Sequence, residues 1–427
     1  MSRLEQLTGY SEKMRFSARR YMYRICLLGF AAALQACAVS NTVEYDEVDI
    51  EIAQTEIEPY ALLDVGILLF DPGIPEELED QQKQFVFPEV RRAEARYMPF
   101  HLKNTLETTG YWGSVWVLPE PTDAVDVMVW GRVDRSDGYK VSMHIGAWDA
   151  TGREWLNKRY DTVVPAKAYS KYRDTTQDPY QNIYNAIAND LLEVREDMSV
   201  AELEDVREVA ELRYAVSLVP EAFKGHLEKN DDGIYEIQRL PAEGDPMMQR
   251  MGEVREREYM LVDTLNEYYA GLYYDLSVPY EDWRKMSREE SIRYQEIKRS
   301  ARIRQLLGAA AIIGAIAYEG SGGSNRAITN VAILGGIEGI RSGFGMSTEA
   351  DMHKESIREL GESFDSEVEP MVIEVEGQTR RLTGSAEDRY REWRRILNEI
   401  YATETGGVMA QDLQQPGQEA ESASSVD

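Results

Sequence analysis

Two cysteines, Cys26 and Cys37, and four histidines, His101, His144, His226 and His353, are the side chains here best suited to nucleophilic or metal chemistry. The histidines are scattered, with no HExxH pair and no Cys/His cluster, which argues against a zinc site. Glu228, Asn230, Asp232 and Gly233 imitate the start of a calcium loop. The twelfth position would be Arg239, which cannot supply the bidentate carboxylate, so a plain turn is expected. No glycine-rich loop with a lysine cradles phosphate, and no GxSxG order presents a serine. The sequence therefore predicts no catalytic residue, no metal ligand and no cofactor, and reads as a non-enzyme. What remains is one thiol and its surroundings. Arg15, Arg19, Arg20 and Arg24 precede an apolar run, Ile25 to Leu34, which small residues and Cys37 follow. That is the layout of a secretory signal peptide, with an apolar core too short to span a bilayer.

The tetrapeptide Leu34-Gln35-Ala36-Cys37 resembles the lipobox of bacterial lipoproteins. The resemblance implies that residues 1–36 are removed and that Cys37 becomes an acylated amino terminus, more than one chain giving stable anchoring. Ala38 follows the cysteine where retention in the inner membrane usually has aspartate, which implies the outer membrane, facing the periplasm. Ala36-Cys37-Ala38 also fits an ordinary cleavage site with a soluble, unlipidated product. Cys26 lies in the removed segment, so the processed chain keeps one cysteine and forms no internal disulfide. Glu5 and Glu12 sit badly ahead of an apolar core, and a start at Met14 gives a more ordinary signal.

Six basic and two acidic side chains fall in residues 1–36, so the remainder carries −33 of formal charge against −29 for the whole chain. Such a surface repels nucleic acid and anionic headgroups. Residues 37–59, with seven acids and no Lys or Arg after Ala38, read as a solvated tether. Within it Val48 to Ile52 alternates as an edge strand would.

Residues 60–198 read as one α/β domain of order β-α-β-β-β-β-α, a mostly antiparallel sheet with helices on one face. Strand-like runs are Leu62–Phe70, Trp112–Leu118, Val125–Val133, Lys140–Asp149 and Glu154–Val164. Pro88 opens a helix that Gly110 ends, Asp137-Gly138 marks a hairpin, and Pro179 to Leu192 closes the domain. The strand Val65-Gly66-Ile67-Leu68-Leu69, the helix end Thr109-Gly110, the segment Asp126-Val127-Met128-Val129-Trp130-Gly131 and the turn Asp149 to Arg153 carry a second resemblance. They are similar to the small periplasmic domain of the Tol-Pal translocation protein's amino terminus, the curli secretion-channel lipoprotein and the lipoprotein activators of peptidoglycan synthases. That resemblance implies envelope proteins as partners and supplies no catalytic residue.

Residues 199–305 are expected to be helical. Ser199 with Glu202 forms a capping box, and Asp245-Pro246 starts a long helix. Pro279 is expected to break it, with a second helix from Tyr280 to Tyr318, as a helical hairpin or coiled-coil-like arm. An aromatic row, Tyr259 to Trp283, reads as packing, with a glycan or protein platform as the functional alternative. In residues 306–345, Ala310 and Gly314, then Gly335, Gly339 and Gly343, stand four apart, a spacing that lets helices approach closely. The stretch resembles the glycine-zipper hairpins of some outer-membrane lipoproteins. Leu306 to Tyr318 is short for a bilayer and Glu338 interrupts the second run, so a protein-buried or oligomer-buried hairpin is expected over membrane insertion. Residues 346–404 read as a small β-hairpin plus helix, and 405–427 as a disordered tail. Two functions follow from these readings. One is a lipid-anchored, non-catalytic scaffold or adaptor. The other is an oligomeric channel or secretion component built through the zipper, a possible homo-oligomer.

Overall fold

A computed structural model describes residues 47–84, 86–170, 177–319, 359, 371–375, 378–382 and 384–405. The lipobox residues Leu34, Gln35, Ala36 and Cys37, and Gly335, Gly339 and Gly343, lie outside them.

The fold is α+β. Strand β1 (Val65–Leu68) leads through α1 (Leu78–Gln84) and α2 (Pro88–Thr109) to β2 (Val115–Leu118), β3 (Val127–Ser136), β4 (Lys140–Asp149) and β5 (Glu154–Val163). Pro88 starts α2 where its missing N–H costs nothing, and Gly110 ends it with φ 71°, a left-handed cap. The sheet order is β2-β1-β3-β4-β5. β1 runs parallel to both β2 and β3, while the longer ladders, β3 with β4 and β4 with β5, are antiparallel. At the β3–β4 turn Asp137 Oδ1 accepts the Tyr139 and Lys140 N–H groups at 3.0 and 2.7 Å.

Helices α3 (Gln181–Glu196), α4 (Val200–Leu218) and the short α5 (Pro220–Phe223) follow, then a small hairpin, β6 (Leu227–Lys229) with β7 (Tyr235–Ile237). The calcium-like stretch is the turn of this hairpin, with Asn230 Oδ1 accepting the Asp232 and Ile234 N–H groups, each at 3.0 Å. The Ser199–Glu202 capping box is complete in both directions. Helix α6 spans Pro246–Glu319, 74 residues, or about 110 Å at 1.5 Å per residue. A last hairpin, β8 (Met371–Val375) with β9 (Gln378–Leu382), and helix α7 (Ala386–Thr405) complete the described chain.

Two expectations are corrected here. Pro279 does not break the helix, because Leu276, Tyr280 and Trp283 on either side of it are buried in one core. That burial offsets the missing hydrogen bond, so the described chain has one rod in place of a hairpin of two helices. Likewise the acidic segment is not a free tether from residue 47 onward. Asn185 and Asn189 of α3 donate to the carbonyls of Val48 and Asp49 at 2.7 and 2.8 Å, and Asn189 accepts the Glu51 N–H at 3.1 Å. The segment is held by asparagine side chains in the manner of a strand, without joining a sheet.

Two cores hold the elements together. The first lies between one sheet face, with Val65, Ile67, Val127, Val129 and Ile145, and helices α2, α3 and α4, and it takes in Leu272 to Trp283 of α6. The second gathers Trp116, Leu118 and Met128 from the sheet, Tyr214 and Leu218 from α4, Val254 to Tyr269 from α6, and Tyr390, Trp393 and Leu397 from α7. Helices therefore cover more than the one sheet face expected, since Met128 alternates with Val127 and Val129 along β3. The edge strand β2 is closed by a side chain of α6. Asn266 Oδ1 accepts the Val117 N–H at 2.8 Å and its Nδ2 donates to the Val117 carbonyl at 2.9 Å, pairing an edge that would otherwise template another strand.

Candidate functional site

Buried charge concentrates where α6 crosses the body. The first site is Glu258, wholly buried on the apolar stripe that runs through Met251, Val254, Leu261 and Leu265. Four donors converge on its carboxylate: Thr122 Oγ1 at 2.9 Å, Tyr390 OH at 2.7 Å, Tyr214 OH at 3.0 Å and Arg394 Nη1 at 3.0 Å. Burial works to raise its pKa, but Arg394 and the hydroxyl donors hold it below the usual carboxylate range. The charge is fully compensated, and it ties α4, α6, α7 and the loop after β2 at one point.

The second site lies 26 residues along α6, about 39 Å of helix. Arg284 makes a two-pronged pair with Asp178, Nη1 and Nη2 each 2.8 Å from a carboxylate oxygen. Its guanidinium lies 4.1, 4.7 and 5.9 Å from the ring centres of Tyr280, Tyr180 and Tyr97. Burial opposes the Asp178 charge, yet the Arg284 guanidinium, through its charge and its hydrogen bonds, keeps that carboxyl well below its ordinary value. Glu94 completes the cluster, accepting from Ser136 Oγ at 2.5 Å and Tyr280 OH at 2.6 Å, with Arg91 Nε 3.4 Å away. Here burial prevails and its pKa is raised.

His101 shows what such groups do in this fold. Its Nε2 faces the Gln181 amide oxygen at 2.8 Å and its Nδ1 the Tyr273 hydroxyl at 2.7 Å. The Gln181 amide nitrogen is committed to Asn185 Oδ1 at 2.9 Å, so its oxygen can only accept. The proton therefore sits on Nε2, and Nδ1 accepts from tyrosine. Burial lowers the pKa and keeps the ring neutral. Both ring nitrogens are engaged, and neither faces a ligand position.

The hairpin turn of β3–β4 braces this second point. Gly138 has φ 73°, and a Cβ there would stand 1.8 Å from the Arg284 carbonyl oxygen, so the turn meets the helix backbone directly. Its N–H donates to Tyr180 OH at 3.1 Å.

One buried acid is left incompletely partnered beside a small cleft. Asp126, 1% exposed, accepts the Asp64 N–H at 2.8 Å through Oδ2. Its Oδ1 makes no hydrogen bond and stands 3.6 Å from Arg255 Nη2. Burial, opposed by Arg255, pushes its pKa up to about 6. Thr122, Asp123, Trp148, Asp149 and Arg213 also line this cleft. Arg213 is bound to Asp123 and to the Ala150 carbonyl, and Asp149 to the Thr151 and Trp155 side chains, so most of the charge there is already committed.

Among the predicted site residues, Gly314 lies on α6, and the other helix-contact glycines and the lipobox lie outside the described residues. Among the described residues no group of three or more His, Cys, Asp or Glu side chains could hold a metal ion, and no helix is long and apolar enough to cross a membrane. The aromatic row is packing for most of its length. Tyr269, Tyr280 and Trp283 are buried, Tyr259 stacks on Trp116 at 4.6 Å, and Tyr274 stands 68% exposed. Sequence reasoning passed over Glu258, Arg284 and Asn266. A usable signal existed for Glu258, a single acid at the i+4 and i−3 position of an apolar stripe.

No family model matches the chain, and neither a curated protein nor a solved structure gives a significant match.

Proposed function

We propose that the protein is a lipid-anchored lipoprotein of the outer membrane, facing the periplasm, and works as a non-catalytic scaffold or adaptor for other envelope proteins. The observation that carries the scaffold reading is the double fixing of α6. Glu258 and Arg284 each bind partners from several elements, and both are fully buried. Ionisable groups used this way hold geometry, because four fixed donors occupy the Glu258 carboxylate and the Arg284 guanidinium is forked onto Asp178. The lipid anchor rests on Leu34-Gln35-Ala36-Cys37. The likeness of residues 62–198 to small periplasmic protein-binding domains supports the choice of partner class.

The test combines two measurements on the full chain made in bacteria. Labelled palmitate should enter the wild type and not Cys37→Ala; label persisting in the variant sinks the anchor. Light scattering of the detergent-extracted protein should then give the mass of one chain. A mass several-fold higher would replace the scaffold by the alternative, an oligomeric channel or secretion component assembled through Gly314, Gly335, Gly339 and Gly343.

A further inference from the structure

A groove lies where α4 meets the connection from β7 to α6, with about 340 Å³ of open space, the size of a small binding site. Glu208, Glu211 and Leu212 of α4 line one part of it, and Leu240, Pro241 and Met248 another. Leu240 is apolar yet 55% exposed. Among the described residues that line the groove there is no lysine or arginine. Glu204, Glu208 and Glu211 share one exposed stripe of α4 at spacings of four and three, and like charges so placed destabilise a helix. Partial burial, then the charges of Asp205, Glu211 and Glu204, raise the pKa of Glu208, and no cation offsets them. Glu211 has Arg255 Nη1 at 3.7 Å, but that guanidinium is shared with Asp126 and the Ala124 carbonyl. The start of α6 is not open to an anion, because Asp245 already accepts the Met247 and Met248 N–H groups.

We infer that this groove docks an extended segment of a partner protein in which lysine or arginine alternates with apolar side chains of leucine size. Charge complementarity selects the cations. The Glu208 and Glu211 positions are about 4.5 Å apart along the helix axis, close enough for both carboxylates to meet one ammonium or guanidinium. The apolar surface selects what stands between the cations, since Leu240, Pro241 and Met248 offer area that a bare ion would leave uncovered. Charge and apolar surface come from different elements, α4 and the connection to α6. Successive side chains of an extended chain point opposite ways, so an alternating segment can present one kind to each. Lysine and arginine stems are themselves apolar and add to the covered area. That the partner is a protein rests on the adaptor reading above. Failure at this groove would leave the palmitate and mass measurements for that reading unchanged.

The test uses the full chain in detergent and a fluorescein-labelled peptide, Gly-Lys-Leu-Lys-Leu-Gly, followed by fluorescence anisotropy. The same peptide with serine for leucine, or with glutamate for lysine, should bind at least tenfold more weakly. Glu208→Gln with Glu211→Gln should raise the Kd about three- to tenfold, the loss of two exposed ion contacts. Leu240→Ser should raise it about fivefold. Glu193→Gln with Glu196→Gln, an exposed pair on α3, removes the same charge elsewhere and should leave the Kd unchanged. No binding at about 1 mM peptide, or equal binding of the leucine and serine peptides, overturns the inference. So does an equal loss in the α3 variant, which would reduce the binding to diffuse attraction by an acidic chain. Spermine displacing the label as well as unlabelled peptide does would assign the groove to a small cation instead. A fall in light-scattering mass on adding peptide would assign it to a second copy.

Discussion

Replacing Asp126 with asparagine isolates one buried charge and its cost. The folded pKa of about 6 exceeds the ordinary 3.8 because burial outweighs the pull of Arg255. Between those values the folded chain holds a proton that the unfolded chain has released. The stability linked to this group is thus fully present below pH 3.8 and is lost as pH rises through about 6. A shift of this size corresponds to about 3 kcal/mol in total, of which about 2 kcal/mol falls between about pH 4.5 and 7.5. Asparagine keeps an oxygen for the Asp64 N–H, now held at 2.8 Å, and cannot ionise. Relative to the wild type, Asp126→Asn should therefore gain about 2 kcal/mol on going from about pH 4.5 to 7.5. Urea unfolding of both chains at the two pH values, followed by tryptophan fluorescence, measures this, and the difference between chains cancels the other titrating groups. A gap that does not change with pH, or that closes as pH rises, would refute the assignment of a raised pKa to this site.

Four further substitutions probe how α6 is held. Glu258→Ala leaves the half-buried Arg394 and the buried Tyr214 and Tyr390 hydroxyls without their carboxylate and should cost about 3–5 kcal/mol, read as a lower urea midpoint; a loss under 1 kcal/mol would mean the four-donor site does not hold the helices together. Gly138→Ala places a Cβ 1.8 Å from the Arg284 carbonyl oxygen at a φ of 73°, and should lower the melting temperature clearly, whereas Gly252→Ala, with open space around its Cβ position, should raise it slightly. Pro279→Ala restores an N–H inside a continuous helix and should stabilise by up to about 3 kcal/mol; a lower melting temperature would show that the proline ring itself is needed there.

Local chemistry makes much of the fold legible in the amino-acid sequence. Pro88 and Gly110 bound α2, Asp137-Gly138 turns β3 into β4, and Ser199 with Glu202 opens α4. Asp245 accepts the Met247 and Met248 N–H groups, and Ser385 exchanges hydrogen bonds with Asp388 at the start of α7. Each of these signals acts within about four residues, so the residues that decide the conformation stand next to one another in the sequence. The cleavage zone and lipobox-like tetrapeptide at Cys37 are of the same local kind, and belong to the sequence alone.

What the tertiary structure decided depends on partners far apart in the chain. The Asn266 side chain closes the edge of β2 across 149 residues, and Tyr390 reaches Glu258 across 132. Asn185 and Asn189 hold Val48 and Asp49 from 137 and 140 residues away. Pro279 has the composition of a helix break, and only the burial of Leu276, Tyr280 and Trp283 in a core built by other elements carries the helix past it. A residue's own preferences differ by about 3 kcal/mol even for proline, while burying several large side chains is worth more, at about 1.5–3 kcal/mol each. Where the two conflict, packing sets the outcome, and packing is not written in any short stretch of the chain.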